Sequence, residues 1–92
     1  MKERNPQIEC KDGFKISVQA SEFAYSLPRE DVGPYTHVEC GYPSDRPATK
    51  KLREFAERCS NYTETVYPYT PIAVVQAELD AHGGITKGRL PV

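Results

Sequence analysis

The chain has 92 residues, 38% of them hydrophobic and 27% charged, and its formal net charge is −1 at pH 7. This length fits one small domain, and the near-neutral charge excludes a protein whose bulk electrostatics alone drives strong nucleic-acid binding. No apolar run approaches the roughly 20 residues needed to span a bilayer, and the charged N-terminus lacks the apolar segment of a secretory signal. We therefore expect a cytosolic, single-domain protein over residues 1–92, with loose ends at about 1–6 and 86–92.

The first predicted element is a β-hairpin in the segment QIECKDGFKISVQA. Its second arm alternates apolar and polar residues with the period of two that marks a half-buried strand, the apolar ones being Phe14, Ile16, Val18 and Ala20. A three-residue loop, 11–13, would oppose Cys10 to Phe14 and, by the same register, Ile8 to Ile16. This register keeps the apolar side chains on one face, whereas a two-residue loop would set apolar against polar. Gly13 then takes the left-handed position of the bulge.

Residues 21–34 show no periodicity and contain prolines and a glycine as breakers. We predict a long loop with one helical turn near Ser21–Tyr25, and long loops in small domains are often functional. A strand follows at 35–42. Its core face is predicted to carry Thr36, Val38, Cys40 and Tyr42, and its open face Tyr35, His37 and Glu39.

Two helices are predicted in the second half of the chain. The segment SDRPATKKLREFAERCS has an apolar stripe at helical spacing, formed by Leu52, Phe55, Ala56 and Cys59. Asp45 is its predicted N-cap, with Pro47 in the first turn. The segment TETVYPY is predicted as a strand whose Pro68 suits an edge strand or a strand end. Thr70 is predicted to cap a second helix, Pro71–His82, with Gly83 as its C′ residue.

These elements predict an α+β fold in which a small antiparallel sheet of three to four strands carries two helices packed on one face. The opposite sheet face should be largely solvated. It would carry Lys15, Ser17, Gln19, Tyr35, His37 and Glu39.

The spacing of His37 and Cys40 is the one arrangement that suggests reactive chemistry. An odd separation on a strand sends the two side chains to opposite faces of the sheet, so they can share neither a metal ion nor a proton. Cys10, Cys40 and Cys59 all map to the core side, where cysteine behaves as a small hydrophobe. The sequence therefore predicts no metal site, no cofactor, no small-molecule substrate and no catalysis.

Charged residues are unevenly distributed. A basic face on the first helix has two readings: a solvated surface balanced by a Glu54–Arg58 pair, or a contact with RNA or phosphate groups. The residues concerned are Lys50, Lys51, Arg53 and Arg58. Residues 20–45 are mainly acidic, and patches of both signs suit docking between proteins.

Six tyrosines stand out in a chain without tryptophan. Tyrosine is favoured at interfaces because it buries area with few rotatable bonds and carries a hydroxyl group. We predict Tyr42 in the core, and Tyr25, Tyr35 and at least one of Tyr67 and Tyr69 at the surface.

The strings Ser17-Val18-Gln19-Ala20-Ser21, Gly33-Pro34-Tyr35-Thr36 and His82-Gly83-Gly84-Ile85 resemble small accessory proteins of tailed bacteriophages. The resemblance covers about residues 8–85, and the size and style are similar to those of type I-F anti-CRISPR proteins. These strings hold no catalytic motif and match no family contact residue.

This resemblance implies a phage-encoded, non-enzymatic inhibitor in the host cytoplasm that binds the crRNA-guided CRISPR-Cas surveillance complex and prevents target DNA binding. Its partners would be the Cas proteins, with crRNA as a further contact, and no membrane. Acidic and aromatic groups suit such a basic partner, and the candidate partner-binding residues are Tyr25, Arg29, Glu30, Asp31, Tyr35, His37 and Glu39. The alternative is a phage accessory module that binds nucleic acid directly through the basic helix face.

Overall fold

The computed structural model of the chain describes residues 4–92, so the first three residues of the predicted loose N-terminus lie outside it. Its elements are β1 Ile8–Cys10, β2 Lys15–Gln19, β3 His37–Gly41, α1 Lys50–Arg53, β4 Val66–Pro71, α2 Ile72–Ala81 and β5 Ile85–Lys87. The strands form one antiparallel sheet in the order β4-β3-β2-β1-β5. The predicted α+β class is confirmed, with five strands instead of three to four. No helix in residues 4–92 is long and apolar enough to cross a membrane.

The hairpin β1–β2 has the predicted register. Ile8 faces Ile16, and the Cys10 amide donates to the Phe14 carbonyl at 2.8 Å. Gly13 has φ +96°, the left-handed conformation that glycine adopts without steric cost. The hairpin therefore places one arm's apolar side chains in the same buried cluster as the other's.

Strand β3 carries Val38 and Cys40 fully buried, as predicted. Its register against β4 shifts between these two residues, and the strand ends at Gly41. Tyr42 then adopts a positive φ of 49° and is 55% exposed. The prediction that Tyr42 belongs to the core is wrong because the strand ends one residue before Tyr42, so the alternation of buried and exposed side chains no longer applies to it.

The first helix is far shorter than predicted, since α1 ends after four residues. Thr49, not Asp45, is its N-cap and accepts from the Leu52 amide. Beyond the helix, the Glu57 amide donates to the Val66 carbonyl at 2.9 Å and the Arg58 amide donates to the Thr65 hydroxyl at 2.9 Å. These two amides bond to the first residue of β4 and to the residue before it. Because they do not bond to the preceding helical turn, the helix cannot continue through them. Cys59 is consequently exposed, contrary to its predicted place in the core.

Strand β4 is an edge strand, one of the two positions predicted for it, and helix α2 follows it without a break. Pro71 is the N-cap of α2; Thr70 is buried and donates its hydroxyl to the Tyr67 carbonyl at 3.0 Å, so it does not cap the helix. The predicted C-terminus is confirmed. The Gly84 amide donates to the Leu79 carbonyl and the Gly83 amide to the Asp80 carbonyl, a Schellman motif with Gly83 at φ +89°.

The fifth strand comes from the segment predicted to be loose. Thr86 and Lys87 lie in β5, which pairs with β1 after the glycine turn that ends α2. Three residues are too few to show a period of two, and all three are exposed. The sequence of β5 therefore contains no pattern from which the strand could be predicted.

Matched isoleucines at the centre and edge of the sheet test where stability resides. Ile16 is fully buried and Ile85 is 36% exposed. We expect Ile16→Val to lower the free energy of unfolding by about 0.5–1.5 kcal/mol and Ile85→Val to change it by less than about 0.5 kcal/mol. Urea unfolding measures both values. Equal losses for the two variants would contradict the assigned core.

Candidate functional site

The loop 21–34 is held by side-chain hydrogen bonds, and the helical turn predicted near its start is absent. The Ser21 hydroxyl accepts from the amides of Phe23 and Ala24 at 3.1 and 3.2 Å. The buried Ser26 hydroxyl accepts from the Ser21 amide and lies 3.0 Å from the Pro28 carbonyl. These bonds replace the ladder that a helix would supply.

The same loop is tied to the sheet at its other end. The Leu27 amide donates to the His37 carbonyl at 3.0 Å and the Thr36 amide to the Leu27 carbonyl at 2.8 Å. Tyr35 is only 7% exposed, and its hydroxyl donates to the Glu30 carbonyl at 2.8 Å. The prediction that Tyr35 lies on the open surface is wrong: the ring packs in the core and its hydroxyl supports the loop.

This support leaves large apolar side chains in solvent. Four of them lie in the loop, and Tyr69 of β4 lies beside one of these, with its ring centroid 5.8 Å from that of Tyr25. The Tyr69 amide also donates to the Tyr25 carbonyl at 3.0 Å. We call this set the loop surface; its members and their exposed fractions are Phe23 64%, Tyr25 39%, Leu27 43%, Val32 74% and Tyr69 40%. Exposed apolar groups of this kind mark contact sites when they are grouped.

Charged groups adjoin the loop surface. The Arg29 guanidinium lies 5.0 Å from the centre of the Tyr25 ring, and Glu30 is exposed beside it in sequence. Asp31 is half-buried and accepts from the Glu22 amide at 3.0 Å. Burial raises the pKa of Glu39, despite a hydrogen bond from the Tyr25 backbone and the nearby arginines.

The predicted partner-binding set is thus brought together only in part. Tyr25, Arg29, Glu30 and Asp31 share the loop, whereas His37 and Glu39 are half-buried on β3. The His37 ring nitrogen Nδ1 lies 2.9 Å from the Thr36 hydroxyl. The open sheet face is less solvated than predicted because Gln19 is buried and bonds both backbone groups of Asn5.

Sequence reasoning missed the apolar members of the loop surface. Phe23, Leu27 and Val32 are large apolar residues in a segment without strand or helix periodicity. Their presence there was the sequence feature that could have indicated an exposed apolar surface. Apolar residues outside any strand or helix pattern have no element to bury them. Tyr25 and Tyr69 are exposed, as the tyrosine predictions require, and Tyr67 is buried.

A second cluster forms where the hairpin loop meets the end of α2. The His82 ring stacks on Phe14 with centroids 3.7 Å apart. Its Nδ1 lies 2.7 Å from Asp12 Oδ2 and its Nε2 lies 2.6 Å from Glu78 Oε2. Glu78 is fully buried, and this cluster borders a cleft of about 260 Å³ that also contacts Ser44.

The protonation of this cluster follows from its hydrogen bonds. Burial disfavours the charged imidazole, but the bonds to Asp12 and Glu78 outweigh it and raise the pKa of His82. Bonds from the Phe14 amide and His82 lower the pKa of Asp12. Burial would raise the pKa of Glu78, yet its bonds from Thr49, Ala48 and His82 lower it. Because carboxylates occupy both ring nitrogens, His82 has no nitrogen left to accept a proton from Ser44.

The basic residues lie in α1 and in the segment that follows it. Lys50, Lys51 and Arg58 are exposed, and Arg53 is half-buried with Nη1 donating to the Pro47 carbonyl at 2.7 Å. No Glu54–Arg58 ion pair is present in the described part of the chain. The pair needs one continuous helix across both residues, and α1 stops before Glu54.

Strand β3 separates Cys40 from His37. Cys40 is fully buried while His37 lies half-buried on the other side of β3, as strand parity predicts. Burial raises the pKa of Cys10 and of Cys40. Residues 4–92 contain no group of three or more potential metal ligands that could hold an ion.

Comparison with known proteins found no match to any protein family, to any curated protein or to any solved structure.

The His82 cluster predicts a specific pH dependence of stability. Since the folded-state pKa of His82 is raised above its usual 6.5, its contribution is complete below that pH and is lost as pH rises through the folded value. The contributions of Asp12 and Glu78, whose pKa values are lowered from 3.8 and 4.5, are lost as pH falls through their folded values. We expect the urea midpoint to be highest between those limits, and His82→Gln to reduce its fall above pH 6.5.

His37→Gln is the matched control for this measurement. His37 makes no ion pair with any described residue, so this variant should keep the wild-type fall in midpoint. An unchanged alkaline fall in His82→Gln would show that the cluster does not carry the effect.

Proposed function

We propose that this chain is a phage-encoded anti-CRISPR inhibitor that acts by binding, without catalysis, to the type I-F crRNA-guided surveillance complex in the host cytoplasm. Bound there, it prevents target DNA from binding. The observation that carries the proposal is the loop surface, which exposes aromatic and aliphatic side chains on a backbone fixed by its own hydrogen bonds. The resemblance to phage accessory proteins supplies the kind of partner.

The loop surface has the make-up of a docking site. Phe23 and Val32 are 64% and 74% exposed, and burying such side chains against a partner is worth about 1.5–3 kcal/mol each before the costs of association. Tyr25 and Arg29 add two residue types that are enriched among binding hot spots. The loop needs little ordering on binding, because Ser21, Ser26 and Tyr35 already hold it.

Charge favours a basic partner. Glu30 and Asp31 stand beside the apolar groups, and neither forms an ion pair with another described residue. A surveillance complex grips nucleic acid with lysine and arginine, which form short, strong hydrogen bonds with carboxylates. Carboxylates placed on those cations would compete with the phosphates of incoming DNA. His37 and Glu39, half-buried below the loop, would then act at the rim of the contact.

Binding also fits the state of the titratable groups better than catalysis does. Both nitrogens of His82 are occupied, and strand parity keeps His37 from Cys40. An inhibitor of this kind works stoichiometrically, so its effect should saturate at a fixed ratio to the complex.

The test is co-elution of the purified chain with a type I-F complex, followed by a gel-shift assay with target DNA. We expect a stable complex and loss of the DNA shift. The double variant Phe23→Ser/Val32→Ser should weaken binding about tenfold or more, because it removes two exposed apolar contacts without breaking a hydrogen bond.

The control is Tyr42→Ser/Ile85→Ser, which removes exposed apolar groups, 55% and 36% exposed, away from the loop surface. It should bind as the wild type does. Failure of the wild-type chain to co-elute would refute the proposed partner, whereas equal weakening by both double variants would refute the docking site.

A further inference from the structure

A surface cleft of about 520 Å³ lies between α1 and the segment that leads to β4. Arg46, Lys50 and Arg53 contribute three positive charges to its lining, and Glu54 contributes one negative charge. Tyr62 supplies the aromatic part of the wall. The size falls within the range of about 300–1,000 Å³ typical of ligand sites, and the excess charge is positive.

The cations of this cleft are not neutralised by the protein. Glu54 lies beyond the end of α1, and none of the three cleft cations forms an ion pair with a described residue. Lys51 and Arg58 flank the cleft in sequence and are likewise unpaired within residues 4–92. The early end of the helix therefore removes the predicted Glu54–Arg58 pair from this face.

Two groups in the cleft are suited to holding a nucleobase. The Arg46 guanidinium lies 5.7 Å from the centre of the Tyr62 ring. The Tyr62 carbonyl accepts from the hydroxyl of the buried Tyr67, and its partly buried side chain packs against the core. Aromatic rings and guanidinium planes are the surfaces on which unpaired bases stack in proteins that bind single strands.

Arg53 is preorganised as a phosphate contact. Its Nη1 donates to the Pro47 carbonyl at 2.7 Å, and Pro47 is buried, which fixes the guanidinium at the cleft wall. A guanidinium has five N–H donors, so most remain for a phosphate. Lys50, one turn earlier on α1, adds a mobile point charge at the same wall.

We propose that this cleft binds single-stranded nucleic acid, with Arg53 and Lys50 on consecutive phosphates and one base stacked at Arg46 and Tyr62. A duplex does not fit this chemistry because its bases are stacked on each other and present no free face. The site is distinct from the loop surface and does not depend on the proposed partner: it predicts binding by the purified chain alone.

The experiment measures fluorescence anisotropy of a labelled oligouridine of about 12 nucleotides at about 50 mM salt. We expect saturable binding that weakens about sevenfold between about 50 and 200 mM salt, as two phosphate contacts on a single strand require. Single-stranded DNA should bind within about fivefold of RNA, since stacking and phosphate contacts make no use of the 2′-hydroxyl. Duplex DNA should bind at least about tenfold more weakly than RNA, since its bases present no free face for stacking.

Two variant pairs locate the site. Arg46→Glu/Lys50→Glu should weaken binding about tenfold or more, whereas Lys87→Glu/Arg89→Glu, the same change of charge at exposed residues outside the cleft, should weaken it less than about threefold. Tyr62→Leu should weaken binding and Tyr62→Phe should preserve it. Absence of binding at about 50 mM salt, equal affinity for duplex DNA, or equal losses in the two charge-reversal pairs would overturn the proposal.

Discussion

One buried carboxylate joins the parts of this small fold. Glu78 is fully buried, and it accepts hydrogen bonds from the Ala48 amide at 2.7 Å and from the Thr49 amide and hydroxyl at 2.9 and 2.7 Å. A buried charge costs several kcal/mol unless it is fully bonded, and here every oxygen is occupied. Since α1 has only four residues, it is too short to be stable alone. Its start is held in place by Glu78 of α2.

The same carboxylate reaches the hairpin through His82. The imidazole links Glu78 to Asp12 and stacks on Phe14, so a residue at the end of α2 fixes a turn 70 positions earlier. Asp12 in turn accepts from the Phe14 amide at 2.9 Å. The turn, the C-terminus of α2 and the N-terminus of α1 are therefore one hydrogen-bonded unit.

Features set by interactions between residues close in sequence could be predicted, and features set by interactions between distant residues could not. The hairpin register was predictable because alternation and the position of Gly13 both act within a few residues. The end of α2 was predictable because Gly83 serves the Schellman motif locally. The length of α1 was not predictable, since the amides of Glu57 and Arg58 bond to residues beyond the helix, and its apolar stripe still matched a helix.

Tyr35 and Tyr42 show the same limit within the candidate site. The alternation of side chains applies to both tyrosines only if the strand includes residues 35 and 42. The strand is His37–Gly41, so both tyrosines lie outside it. Outside it, a tertiary hydrogen bond to Glu30 and a left-handed turn decided which ring is buried. Within the cluster of Asp12, Glu78 and His82, only the i,i+4 spacing of Glu78 and His82 was visible in the sequence. The contact of His82 with Asp12 has no local sequence pattern.

The two candidate binding regions rest on different supports. Lys50 and Arg53 of the cleft depend on α1, and so on Glu78. The loop surface depends on hydrogen bonds that Ser21, Ser26 and Tyr35 make to residues of the loop 21–34. Loss of the cluster should therefore disturb the cationic cleft before it disturbs the loop surface. A small chain with one carboxylate-centred anchor and one self-supporting loop can present two chemically different surfaces, one apolar and acidic, the other basic, without a second domain.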